Sequence, residues 1–314
     1  MNHLKSIILA STLISGFSTT ANADINVIAS VKPIHSLVSG VMEGAGKPDL
    51  IVKGSASPHT YSLKPSQAKQ LEEADLVFWM GHELESFLEK PLEAIATSAH
   101  VVELIDSSNL KKIEMREGGM FDSHAHDEHE GHEGHDDHGH GEFDVHVWLD
   151  PENAKVLVNE IKLELIELDP KNASIYEANS MKINLKLDQL IDEVSAKLES
   201  EKGKGYVVFH DAYQYFEERF GMSAVGSITV SPEVVPGANR IRELKDKIVD
   251  LNAYCVFSEP QFEPKLVSTV IEGTQANTGV LDPLGASIKD GPELYFTLIR
   301  NMANSLQDCL SKKS

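Results

Sequence analysis

The chain has 314 residues, 41% apolar and 25% charged, a soluble globular composition long enough for two domains of ordinary size, each with a core of its own. Twenty-eight Lys and Arg against 49 Asp and Glu leave a net charge of −21. That balance argues against nucleic acid as a partner, since affinity for it comes mainly from cationic neutralisation of phosphates, and suits a protein that handles cations. With 14 histidines and only two cysteines, any metal chemistry rests on imidazole and carboxylate rather than on a thiolate cluster.

Residues 1–23 read as an export signal. Lys5 lies near the start, an apolar stretch runs from Ile7 to Phe17, and Ala21-x-Ala23 precedes Asp24, which predicts cleavage after Ala23. The apolar stretch is shorter than the roughly 20 residues that cross a bilayer, and no later segment reaches that length. No cysteine follows the signal to carry a lipid, so a soluble protein outside the inner membrane is expected. In that oxidising compartment Cys255 and Cys309 are read as one disulfide, with two free thiols as the alternative. Closing a loop of about 55 residues stabilises by roughly 3–5 kcal/mol through loop-closure entropy.

Beyond the signal, short apolar runs alternate with helical patterns. Asn26–Val31, Asp49–Val52, Leu76–Met80 and Val101–Ile105 predict strands, and the intervening segments have helical periodicity, as in Pro65–Ala74 with its proline in the first turn. A second set of strands is predicted at Tyr206–Phe209, Ala224–Thr229, Tyr254–Ser258 and Thr278–Leu281. Strands alternating with helices imply parallel sheets covered on both faces, hence an α/β chain of two four-stranded lobes. Ala173–Glu199 contains no Pro or Gly and repeats apolar residues at Ile183, Leu187, Leu190, Ile191, Val194 and Leu198. It predicts a single helix of about 27 residues and ~40 Å, a stiffer link than a Gly/Ser linker. The expected division is an N-terminal lobe over 24–170, a linking helix segment over 171–201 and a C-terminal lobe over 202–314.

One stretch belongs to neither lobe. Residues 122–142 hold His124, His126, His129, His132, His135, His138 and His140 among eight acids and four glycines, with no Lys or Arg. A tract without apolar periodicity is expected to be a loop, and its composition predicts weak, unselective metal capture. A solvated insertion with no such role is the plainer alternative.

The remaining histidines of the exported chain are His35, His59, His82, His100, His146 and His210. His59 follows the second strand, His146 opens a helix, and His210 ends the first strand of the second set; Asp282 ends the last strand in the same way. Parallel sheets place ligands at such positions, just beyond the carboxyl ends of strands. No two of these histidines share a local metal motif, and each alone reads as an ordinary surface or core residue. His35 is read as a satisfied polar group, His82 as an exposed first-turn residue, His100 as surface and Trp148 as packing behind His146. Glu259, ending a strand at the lobe junction, is a candidate partner for the second nitrogen of a ligand imidazole.

Four separated segments carry a resemblance. They are Gly54…Pro58-His59-Thr60-Tyr61-Ser62-Leu63-Lys64-Pro65-Ser66 running on to Ala74-Asp75-Leu76-Val77-Phe78-Trp79-Met80-Gly81, then Asp144-Val145-His146-Val147-Trp148-Leu149-Asp150-Pro151, then Phe209-His210-Asp211-Ala212-Tyr213, and finally Leu281-Asp282-Pro283-Leu284-Gly285. In this order, over essentially the whole exported chain, they resemble the metal-binding substrate-binding proteins of ABC transporters. The His-rich acidic insert and the cysteine pair resemble the zinc-uptake branch of that family. The resemblance implies two (βα)4 lobes joined by a rigid backbone helix, with the metal held between them by His59, His146, His210 and Asp282. It implies a periplasmic, non-catalytic carrier that captures Zn(II) as its transported ligand and delivers it to an inner-membrane ABC permease, with a monomer expected. Manganese-binding relatives tend to carry Glu in the place of His210, and imidazole there moves preference toward zinc. Where some zinc-binding relatives have Glu before the first histidine, this chain has Pro58, which leaves the fourth position to Asp282 or a water. The competing expectations are a manganese or iron carrier of the same fold and a secreted zinc hydrolase. The hydrolase is disfavoured because neither His-Glu-x-x-His nor Gly-x-Ser-x-Gly is present.

Overall fold

The computed structural model describes residues 25–116, 121, 143–229, 237–250, 253–262 and 265–312. Residues 1–24, where the export signal is expected, nearly all of the segment 117–142 with its seven histidines, and a few short stretches lie outside the described residues.

The first half contains β1 (Val27–Ala29), α1 (Lys32–Val41), β2 (Asp49–Leu50), α2 (Pro65–Glu72), β3 (Leu76–Trp79), α3 (Ser86–Ala94) and β4 (His100–Glu103). Its strands form a parallel sheet in the order β2-β1-β3-β4. Two helices follow, α4 (Pro151–Leu168) and α5 (Ala173–Leu198). The second half contains β5 (Tyr206–His210), α6 (Gln214–Phe220), β6 (Ala224–Thr229), α7 (Ala238–Asp250), β7 (Cys255–Ser258), α8 (Lys265–Ile271), β8 (Asn277–Val280) and α9 (Leu294–Leu310). Its parallel sheet runs β6-β5-β7-β8, the same order of connections as the first. The α/β architecture expected from the sequence is present. Central strands β1, β3 and β5 are buried along their whole length, as apolar runs covered on both faces must be, whereas edge strands β2 and β8 have exposed positions.

Helix α5 has 26 residues, about 39 Å at 1.5 Å per residue. Its buried side chains, Tyr176, Ser180, Ile183, Leu187, Leu190, Val194 and Leu198, recur at helical spacing and form one face. That face packs on α1, α4 and α9, so the helix touches both halves. The approach to α1 is close: a Cβ at Gly40 would stand 2.9 Å from Cδ1 of Ile183.

Length alone suggests two separate cores, but the packing joins most of the interior. One apolar cluster runs from the first sheet through α4, α5 and α9 to Tyr206, Val208, Cys255 and Phe257 of the second. The alternate residues Val207, Phe209 and Val256 face the other way and form a smaller cluster with Leu244 and Ile248 of α7 and Val267 and Val270 of α8. The reason is α9, which follows the second sheet in sequence yet packs on α1 and α5. A disulfide joins Cys255, at the start of β7, to Cys309 near the end of α9. Among the described residues no helix is long and apolar enough to cross a membrane.

Candidate metal centre

Three histidines distant in sequence meet between the two sheets. His59 lies in a single 3-10 turn, Pro58–Thr60, beyond β2. Gly54 in the loop leading to it adopts φ +68°, a conformation that favours glycine. His146 immediately precedes the 3-10 turn Val147–Leu149, after which Asp150 caps α4 by accepting from the Glu152 amide at 2.9 Å. His210 is the last residue of β5, beside β7, whose end leads to Glu259. This is where the strand order of the second sheet reverses, the point at which such sheets leave a crevice for ligands.

One nitrogen from each of His59, His146 and His210 lies within 4.8 Å of the other two. The Nε2 atoms of His146 and His210 are 3.5 Å apart. Two ligands each about 2.0–2.1 Å from a tetrahedral ion stand roughly 3.3 Å from one another, so this pair is spaced for one ion. His146 and His210 are buried and His59 is partly so. The cavity they line, with Trp148, Phe262 and Leu284 among its walls, measures about 10 Å³. An organic ligand takes roughly 300–1,000 Å³, whereas this space suits an ion or a water.

Two of the three rings are held from behind. Nδ1 of His146 lies 2.7 Å from Oδ1 of Asp144, which also accepts from the His146 amide at 3.0 Å. Nδ1 of His210 lies 2.7 Å from Oε1 of Glu259. An ionised carboxylate only accepts, so in each pair Nδ1 carries the proton and the Nε2 lone pair faces the cavity. Among the described residues no hydrogen bond holds the His59 ring. Burial lowers the His59 pKa, and the neighbouring imidazoles of His146 and His210 lower it further, to about 2. At His210 burial again acts downward, but the carboxylates of Glu259, chiefly, and of Asp144 and Asp211 together raise the pKa. His59 is therefore neutral across the physiological range, while a proton competes for His210.

Asp282 stands outside this group of three. Its Oδ1 accepts from Gln261 Nε2 at 2.9 Å and from the amides of Leu284 and Gly285 at 3.2 and 2.9 Å, and its Oδ2 accepts from the Ala286 amide at 2.6 Å. The carboxylate thus anchors the loop that brings Pro283 and Leu284 to the cavity. Trp148 packs on His146 with ring centroids 5.3 Å apart, and its indole donates to the Pro283 carbonyl at 3.0 Å. The other described histidines lie elsewhere. His35 bonds the Pro48 carbonyl at 3.1 Å, His82 lies 3.7 Å from Glu103, and His100 bonds Glu164 at 2.7 Å.

Sequence reasoning passed over Asp144 and the basic residues around the site. A carboxylate two residues before a ligand histidine was the available signal for Asp144. Arg116 had none: it binds Asp211 and Glu217, about a hundred residues away. Arg219 of α6 similarly grips both oxygens of Asp150, at 2.6 and 2.8 Å.

The family described as ZnuA, zinc-uptake complex component A periplasmic, matches residues 27–309. The high-affinity zinc uptake system protein ZnuA of Brucella suis is 54% identical, over 99% of this chain and 100% of its own length. The protein of the same name from Yersinia pestis is 36% identical, over 98% of each chain. Among solved structures, a crystal structure of ZnuA superposes with a TM-score of 0.77 at 24% identity, covering 91% of this chain and 99% of its own. The periplasmic zinc binding protein TroA from Treponema pallidum superposes with a TM-score of 0.78 at 19% identity, covering 92% and 100%. At these identities the two structures speak for the fold alone.

Proposed function

The chain belongs to the family of periplasmic zinc-uptake components, and from that premise we propose that His59, His146 and His210 together hold the zinc ion it carries. Its role is that of the zinc-binding periplasmic component of an uptake system. The observation that carries the site assignment is the convergence of three imidazole nitrogens, each within 4.8 Å of the others, on a cavity with room for one ion. Three neutral nitrogen donors suit four-coordinate zinc and not the all-oxygen sphere that manganese prefers, which supports zinc over manganese or iron. Asp282 or a water takes the fourth position, and the four N–H donors already on Asp282 make its carboxylate the weaker claimant.

Capture followed by delivery to an inner-membrane ABC permease is the reading that fits, with no reaction catalysed on the way. A zinc hydrolase needs room for an organic substrate beside the ion, and the small size of the cavity, about 10 Å³, favours the carrier over the hydrolase. The proposed mature protein is a monomer that begins at Asp24 after cleavage behind Ala23. Its insert over 122–142, outside the described residues, adds weak zinc sites.

Competitive titration of the mature protein against a zinc chelator tests the assignment. One tight equivalent is expected, surviving deletion of 122–142 and lost in His146→Ala or His210→Ala. Retention of the tight equivalent in either alanine variant, or its loss with the insert, overturns it.

A further inference from the structure

Arg116 touches no part of the cavity, yet it joins the two walls that carry His146 and His210. It follows the first half in sequence and reaches across to the second. Its Nε donates to Oδ2 of Asp211 at 3.1 Å, its Nη2 binds Oδ1 of the same carboxylate, and its Nη1 donates to Oε2 of Glu217 at 2.6 Å. The Phe121 ring covers the guanidinium, 4.0 Å from Cζ to centroid. Both carboxylates are buried, with side-chain exposures of 6% and 5%. Asp211 is the residue after His210, so the guanidinium anchors the backbone from which that imidazole projects.

The same seam holds the other wall. The Tyr215 hydroxyl accepts from the Ile113 amide at 3.0 Å and donates to the Asp144 carbonyl at 2.7 Å. Asp144 is the residue that fixes the His146 ring. The segment 113–116, the turn before His146 and the start of α6 are therefore bonded into one polar unit.

We propose that Arg116 is a positioning residue that sets the spacing of His146 and His210, and through it the affinity and selectivity for the ion; this rests on the histidine site assigned above. Without the guanidinium, Asp211 and Glu217 become two buried negative charges with no cation beside them, an arrangement relieved by admitting water or swinging a carboxylate outward. Movement of Asp211 carries His210 with it. A tetrahedral site opened in this way loses zinc affinity and discriminates less against cations that accept irregular geometry. Arg116 is not needed to keep the halves together. Lys32 binds the carbonyls of Ala286 and Ile288 at 3.1 and 2.8 Å, Ser36 donates to the Gly291 carbonyl at 2.8 Å, and the joint apolar core spans both halves away from the seam.

The test uses the full mature chain with Arg116→Gln and Arg116→Lys. Arg116→Gln is expected to weaken zinc binding about 10- to 100-fold, the range seen when outer partners of metal ligands are lost. It should also change the visible absorption of the cobalt(II)-loaded protein and, in a metal-free crystal structure, open the 3.5 Å separation of His146 and His210. Arg116→Lys keeps the charge but not the fork that reaches both acids, and should fall between the wild type and Arg116→Gln. It serves as the deciding variant if Arg116→Gln does not fold. Wild-type zinc affinity and an unchanged cobalt spectrum in the folded variant overturn the proposal. If His210→Ala loses tight zinc in the same assay, that failure belongs to Arg116 alone; if His210→Ala keeps it, the site assignment falls as well.

Discussion

His210 and His59 approach one point from opposite halves of the molecule and are held in opposite ways. His210 ends a central strand buried along its whole length, with Glu259 fixing its ring at 2.7 Å. His59 stands in a one-turn helix beyond the two-residue edge strand β2, and no described residue hydrogen-bonds its ring. Their protonation differs as well: burial and two neighbouring imidazoles keep His59 neutral, while Glu259 favours the charged form of His210. The contrast describes a site with one preformed wall and one adjustable wall. In the site proposed above, His146 and His210 would supply the fixed geometry, and His59, whose ring no described residue hydrogen-bonds, the less firmly held ligand.

Removing members of the two walls should separate them. His210→Ala deletes a preformed ligand and is expected to weaken zinc binding by well over about 100-fold, more than the loss of an outer partner costs. His59→Ala leaves the spaced pair intact and should cost less than His210→Ala in the same competition assay. Equal losses would break the comparison. Replacing Cys255 and Cys309 by Ala probes the far end of the same wall, because Cys255 begins β7 and Glu259 follows its end. With the cysteines 54 positions apart, unfolding should become easier by about 4 kcal/mol in denaturant titrations, with zinc affinity at neutral pH unchanged.

The smallest effect expected is a shift in pH dependence. The ion needs neutral imidazoles, so zinc should be released as pH falls through the raised pKa of His210, with no contribution from His59 above about pH 2. Glu259→Gln removes the carboxylate that raises it, so release should move to lower pH, with about a 10-fold weaker affinity at pH 8 from the less firmly held ring. An unmoved release curve would show that Glu259 does not govern the proton. In the metal-free protein the two histidines act on stability with opposite signs. The raised pKa of His210 contributes stability below the ordinary value near 6.5 that is lost as pH rises through the folded-state pKa. The depressed pKa of His59 destabilises the fold as pH drops below about 6.5, because only the unfolded chain then takes up the proton.

Local pattern was enough for much of this protein. Most strands fall within short runs rich in apolar residues, and α5 repeats its buried positions at helical spacing, so the two four-stranded sheets and the long helix were legible as elements, with strand ends shifted by one to a few residues. His59, His146 and His210 were legible too, through motifs that each lie within one loop or strand end. Asp282 was equally visible as a candidate, but only the fold revealed that four N–H groups occupy its carboxylate. What pattern could not reveal were pairings across the chain. Arg116 meets acids 95 and 101 residues away, and α9 (Leu294–Leu310) lies against α1 (Lys32–Val41) from the far end of the sequence. Side-chain periodicity is set by the few neighbouring residues that form a helix turn or a strand. The partner of a buried charge, or of an unpaired helix face, is chosen by the packing of distant elements into one interior, and that choice appears only in the tertiary structure.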